Sequence, residues 1–163
     1  MEQNGCIWSY VEPPVFRGTS YHTIDDKGRI IIPTRFRDVI KANGGDGVMV
    51  SSIQTSYLVA YTFEGWREIE AKFLSQNELD DNTRKIIRFF IGAASVCNCD
   101  KQDRILIPPN FRHQAVLERD VVLVGGLRYF EIWSKANYEK ESLDYNESLN
   151  QEGFKQTLTR LGI

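Results

Sequence analysis

The chain has 163 residues, 42% of them hydrophobic, and a formal net charge of −2 at pH 7. That is apolar material for one buried core or two very small ones, which excludes disorder as the main state, and no uninterrupted apolar run approaches the roughly 18 residues of a membrane helix. Three cysteines do not make a disulfide framework, and the N-terminal MEQNGCIWSYVEPPV lacks the basic start and apolar stretch of a secretory signal, so a cytosolic chain with reduced thiols is expected.

Residues 1–15 read as an arm added outside the patterned part of the chain. A first strand, TSYHTID, leads into the turn DDKGR, where Gly28 can take a positive φ, and the second strand is RIIIP, ended by the missing amide of Pro33. TRFRDVIKAN then places Phe36, Val39 and Ile40 on one helical face with Thr34 as the expected N-cap, and Asn43, Gly44 and Gly45 stop the helix. GVMVSS and SYLVAYTF read as a second hairpin, rich in β-branched and aromatic residues. Trp66, Ile69, Phe73 and Leu74 recur at helical spacing. After the polar break SQNELDDNT, a second helix over TRKIIRFFIGAAS is expected, capped by Asp81 or Asn82, with Ile86, Ile87, Phe90 and Ile91 against Arg84, Lys85 and Arg88. This segment reads as a connector covering the sheets rather than as a DNA-reading helix-turn-helix. From residue 139 onward, five acidic and three basic residues fit an exposed helical tail.

Superimposing Asp25 on Asp100 aligns Arg29 with Arg104, Ile30 with Ile105, Ile32 with Ile107, Pro33 with Pro108, Phe36 with Phe111 and Arg37 with Arg112, seven identities in thirteen positions. Beyond the window, GVMVSS resembles DVVLVGG, and SYLVAYTFEGW resembles LRYFEIWSKANY with Tyr61 opposite Trp133 and Trp66 opposite Tyr138. The chain is a tandem repeat of one unit of about fifty residues. Four strands and a short helix cannot cover both faces of a sheet, so two such units must pack together, within the chain or between chains. The units are placed at 16–66 and 95–138, with a helical connector at 67–94 and the tail at 139–163.

Three stretches, VFRGTSYHTIDDKGRIIIPTRFRDVI, DKQDRILIPPNFR and VVLVGGLRYFEIW, resemble the MraZ family, the tandem-repeat members of the AbrB/SpoVT-like group, over about Phe16 to Tyr138. The resemblance implies a mainly β fold with helices (α+β), in which two swapped-hairpin units form a pseudo-dimer inside one chain. It also implies a DNA-binding transcriptional regulator, cytoplasmic and nucleoid-associated, that binds short repeats in the promoter of the division and cell-wall gene cluster as a ring-like homo-oligomer. No cofactor, small-molecule substrate or membrane partner is implied.

Charge is distributed to match. Between residues 17 and 41, Arg17, Lys27, Arg29, Arg35, Arg37 and Lys41 stand against Asp25, Asp26 and Asp38, a local +3. Between 100 and 119, Lys101, Arg104, Arg112 and Arg119 stand against Asp100, Asp103 and Glu118, a local +1. With the resemblance, the candidate DNA contacts are Arg29, Lys27, Arg17, Arg35 and Arg37 from the first repeat and Arg104, Lys101 and Arg112 from the second. Arginine forks can bridge two acceptors on guanine and long cations can reach phosphates. Asp25 and Asp100 are assigned to hold Arg29 and Arg104 in place. The alternative reading of each Asp–Arg pair is a hairpin-stabilising ion pair and nothing more. Asp103 occupies the place of Gly28; Asp tolerates positive φ, but it sets a negative charge beside Arg104. The first repeat is therefore expected to be the principal DNA contact, and the second to serve mainly assembly.

Other chemistries are less well supported. Cys97 and Cys99 share a strand face, but only Cys6, His22 and His113 remain as further soft ligands, scattered along the chain, so no metal site is expected. No nucleophile elbow, phosphate loop or zinc-protease helix is present, and no catalytic residue is assigned. Tyr129, Phe130 and Trp133 read as core and subunit interface rather than as a base-stacking platform. Two function classes remain: a sequence-specific DNA-binding regulator, and a self-assembling scaffold for protein partners that does not read DNA.

Overall fold

The computed structural model describes residues 14–163. The arm over 1–15 and Cys6 thus fall almost wholly or wholly outside the described residues.

The first unit runs β1 (Thr19–Thr23), β2 (Arg29–Ile31), α1 (Thr34–Ala42), β3 (Gly47–Ser51) and β4 (Tyr57–Thr62), followed by α2 (Phe63–Leu74). The second repeats it as β5 (Ser95–Asn98), β6 (Arg104–Leu106), α4 (Pro109–Gln114), β7 (Asp120–Gly125) and β8 (Tyr129–Ser134), followed by α5 (Lys135–Ser148). Between them lies α3 (Asp81–Ile86), and α6 (Glu152–Leu161) ends the chain. No helix among the described residues is long and apolar enough to cross a membrane.

All pairing is antiparallel. One sheet has the order β1-β7-β8-β4-β3-β5, and a separate ribbon pairs β2 with β6. Outward from the centre of the larger sheet, β4 meets β8, and the first strand of each unit lies against the third strand of the other, β1 on β7 and β5 on β3. That exchange is the swapped-hairpin arrangement, here closed within one chain. Ile30 pairs with Ile105 in the ribbon and Val59 with Glu131 in the sheet, and each of these pairs is also a pair of equivalent positions in the repeat. A pseudo-twofold axis therefore passes through both the ribbon and the middle of the sheet. Neither unit has a complete sheet of its own, which is why the pattern must occur twice.

The main core lies between the ribbon and one face of the sheet. Ile30, Ile32 and Phe36 from the first unit meet Ile105, Ile107 and Phe111 from the second, with Leu58, Leu123, Phe130 and Ile132 as the floor. Phe16, Phe36 and Phe130 form an aromatic cluster with ring centroids 5.1–5.3 Å apart. The opposite sheet face is covered locally, by Trp66 of α2 and Phe90 packed on Val59, and by Tyr138 of α5 set edge-on to Trp133. The equivalence of Trp66 and Tyr138 reaches the caps. Thr62 accepts a hydrogen bond from the Gly65 amide and Ser134 one from the Asn137 amide, so each fourth strand ends in a hydroxyl that starts the helix after it.

Several local expectations are corrected. Pro33, not Thr34, is the N-cap of α1, with no side-chain cap bond, and the Thr34 hydroxyl instead accepts from Arg37. Asp80, not Asp81 or Asn82, caps α3, accepting from the Thr83 amide at 2.6 Å. The expected helix over 83–95 is the short α3 passing into a π-helical turn, Ile87–Ile91. The wider turn breaks the 3.6-residue period, so Phe90 is buried while Ile86 and Phe89 face outward. Leu74, the last residue of α2, is also exposed.

Candidate nucleic-acid interface

Each unit presents its Asp–Arg pair at the tip of the hairpin between its first two strands. Ile24 bridges to Ile30 across the first turn, and Gly28 sits at φ +90°. Asp103, its counterpart, adopts φ +62°, so the turn survives the exchange of Gly for Asp. The Asp25 carboxylate accepts from the Lys27 amide at 3.0 Å, the Arg29 amide at 2.9 Å and Arg29 Nε at 2.6 Å. Asp100 does the same with the Gln102 and Arg104 amides and Arg104 Nε, each at 2.9 Å. One carboxylate thus closes the turn and holds a guanidinium at once, so hairpin stabilisation and arginine orientation are a single device. The amide of the following arginine is the largest influence holding each carboxyl below the ordinary Asp range, and the guanidinium adds to it. Both carboxylates are therefore ionised at neutral pH.

Strand alternation fixes which way these arginines face. Ile30 and Ile105 are fully buried, so Arg29, Ile31, Arg104 and Leu106 all lie on the outer face of the ribbon. Register places Arg29 opposite Leu106 and Ile31 opposite Arg104. The two arginines are diagonal neighbours, with Cα atoms about 7–8 Å apart. Lys27 and Lys101 are exposed on the two turns.

The remaining candidate residues lie behind or beside the tips. Arg37 is committed across the repeats: it pairs with Asp103 at 2.8 Å, and its Nε donates to the Ile32 carbonyl at 3.1 Å. Its equivalent Arg112 reaches the other turn, where a Cβ on Gly28 would lie 2.6 Å from Arg112 Nε. That Nε is buried without a partner among the described residues. The two turns are thus alike in backbone and unlike in charge, one arginine meeting a carboxylate and the other a bare glycine. Arg35 is exposed and lies over Gly18, where a Cβ would collide with its guanidinium. Arg17 follows Phe16, which bridges to Leu127.

The Arg37–Asp103 pair was not legible in sequence, because a contact between repeats requires the swapped topology. The outward Ile31 and Leu106 had a signal that went unused, since both flank a buried position in a short strand. Cys97 and Cys99 both pack against the main core. Burial pushes the Cys97 thiol up to about 11 and raises that of Cys99 too, which makes both poor nucleophiles. No group of three or more His, Cys, Asp or Glu could hold a metal among the described residues. Phe130 is wholly buried, and Trp133 stacks on Tyr57 at 4.5 Å, an internal pairing across β4 and β8.

The family described as "MraZ protein, putative antitoxin-like" matches the chain twice, over residues 15–89 and 90–161. A protein of Desulforapulum autotrophicum named "Transcriptional regulator MraZ" is 49% identical over 91% of this chain and 100% of its own length. One of the same name from Desulfosudis oleivorans is 46% identical with the same coverage of both chains, and one from Acetivibrio thermocellus is 37% identical, again over 91% and 100%. Two repeats in the family's register, folded as one pseudo-dimer, and full-length relatives at this identity place the chain as a regulator of transcription rather than an enzyme: it belongs to the MraZ family.

Proposed function

We propose that the protein binds duplex DNA through the outer face of the β2–β6 ribbon and its two turns, at short repeated sites in the promoter of the division and cell-wall gene cluster, as a ring-like homo-oligomer in the cytoplasm at the nucleoid. The observation that carries this reading is the pair of carboxylate-held guanidiniums on one face. Each arginine commits its Nε edge to Asp25 or Asp100, which leaves the outer Nη edge to meet a guanine or a phosphate with less rotamer entropy to lose. Lys27 and Lys101 beside them, and Arg17 and Arg35 further back, would add phosphate contacts, while Arg37 and Arg112 support the turns. Self-assembly has its own support in the C-terminal segment, where Leu143 of α5, Leu149 just after it and Leu161 of α6 are exposed.

Arg29→Ala should cost about 1–3 kcal/mol of specific binding with fold and oligomer intact, and Arg104→Ala less. The geometry of the two pairs is the same, so this ranking rests on the local charges of +3 and +1. Fluorescence anisotropy on the protein's own upstream DNA measures both; equal losses would refute the ranking. A gel shift that shows no binding to that DNA, with the assembly intact, would favour the scaffold reading instead.

Asp103→Gly should raise affinity. Glycine suits the positive φ, a negative charge leaves the second tip, and Arg37 loses its carboxylate partner, which frees its Nη1 for phosphate while Nε and Nη2 stay on Ile32 and Thr34. If Arg37 takes up one phosphate, the slope of log affinity against log salt should steepen by about 0.9. Weaker binding would mean that the Arg37–Asp103 pair is needed to shape the tip, or that this tip faces a neighbouring protein.

A further inference from the structure

The ribbon's outer face carries more than its arginines. Ile31 is 55% exposed and Leu106 53% exposed, in a protein whose other ribbon aliphatics, Ile30 and Ile105, are fully buried. Each exposed side chain stands directly across the strand pair from an arginine, Ile31 from Arg104 and Leu106 from Arg29, at the cross-strand spacing of about 4.5–5.5 Å. The pseudo-twofold axis through Ile30 and Ile105 relates the two aliphatic–arginine pairs to each other.

We infer that Ile31 and Leu106 determine sequence specificity by packing on thymine methyl groups in the major groove, next to the bases that Arg29 and Arg104 contact. This deepens the reading that duplex DNA is the partner, and rests on it. A two-stranded ribbon fits a major groove about 12 Å wide, and the groove floor offers two kinds of feature, acceptor edges that suit arginine and the thymine C5-methyl, which suits an apolar side chain. The outward edges of the two arginines select this occupant. Each has its Nε held by Asp25 or Asp100 and presents its remaining donors beside an apolar side chain, the combination that a guanine acceptor edge next to a thymine methyl satisfies. The pseudo-twofold arrangement then calls for a site in which guanine and thymine recur with approximate dyad symmetry. Ile and Leu differ in shape, so the two half-sites need not be identical.

The test uses the full chain and its own upstream DNA, prepared once with thymine and once with deoxyuridine in its place, which deletes the methyl groups and leaves the hydrogen-bonding edges intact. Affinity should fall about fourfold for each methyl group removed from beneath an aliphatic side chain, about fifteenfold for two. The double variant Ile31→Ala/Leu106→Ala should bind the thymine duplex about as weakly as the unaltered protein binds the uracil duplex, and should no longer distinguish the two duplexes. The uracil arm needs no change to the protein, so misfolding cannot mask it. If the unaltered protein binds both duplexes equally while Arg29→Ala still weakens binding, methyl readout is overturned and the DNA-binding reading stands. Undiminished sensitivity to uracil in the double variant would move the methyl contacts to other residues and overturn the assignment. A double variant that changes oligomeric state in size-exclusion chromatography, with its uracil sensitivity retained, would make the aliphatic pair a subunit contact and likewise overturn it. Failure of the unaltered protein to bind the thymine duplex overturns both readings together.

Discussion

A duplex carrying three correctly spaced copies of the recognised repeat should bind this protein about two to four orders of magnitude more tightly than a duplex carrying one. With a net charge of −2, the chain gains little from long-range attraction to DNA, and one ribbon face with a few cations neutralises few phosphates. Under the proposed ring, the same face recurs at fixed intervals, and engaging one raises the effective concentration of the next if the DNA repeats match that interval. The measurement is a titration of duplexes with one, two or three repeats at several salt concentrations, beside a three-repeat duplex whose spacing is shifted by half a helical turn. The salt slope should grow by about 0.9 for each additional phosphate neutralised. Equal affinity for one repeat and three, or indifference to the shifted spacing, would mean that a single subunit reads its site unaided.

Phe130→Ala should destabilise the fold by about 3–5 kcal/mol, read as a lower midpoint in a guanidinium titration. Phe130 lies in β8, is fully buried, and touches the rings of both Phe16 and Phe36, so its removal opens a cavity where the two repeats meet. Because neither repeat completes a sheet alone, the loss should appear as one cooperative transition rather than as melting of one half. Ile86→Ala, by contrast, should change stability by no more than about 0.5 kcal/mol, since Ile86 faces outward ahead of the π-helical turn. A large loss at Ile86 would show that its face is covered by another subunit.

These two residues also mark how far the sequence could be read. Phe130 alternates with Ile132 in an apolar strand, and period-two patterning identifies its burial without further information. The same holds for Phe36, Val39 and Ile40 on α1, whose helical spacing marks one buried face. The aligned Asp, Arg, Ile and Pro positions predicted both hairpins and the packing of two units together, while closure as a pseudo-dimer within one chain was implied by the family resemblance. Ile86 was misplaced because the expectation assumed an unbroken 3.6-residue period, and a π turn leaves no mark in composition. The missed cap of α3 has a related cause. Asp80, Asp81 and Asn82 are all competent capping residues, and the choice among them depends on where α2 ends and α3 must start. At the interface, the pairing of Asp25 with Arg29 was legible because both ends lie in one turn. The pairing of Arg37 with Asp103 was not, since it joins an α1 side chain to a turn 66 positions away, brought together only by strand exchange.

The pseudo-twofold axis has a genetic consequence. In a dimer of single-unit chains, any substitution in the turn appears twice, so both tips change together and the surface keeps its symmetry. Here each tip has its own codons, so equivalent positions can differ, as Gly28 and Asp103 do. Unequal tips give the ribbon a polarity, which under the proposed function would let it tell the two directions of a duplex apart. Repeated in one orientation around the proposed ring, such readers would match direct repeats of an approximately symmetric site rather than inverted ones.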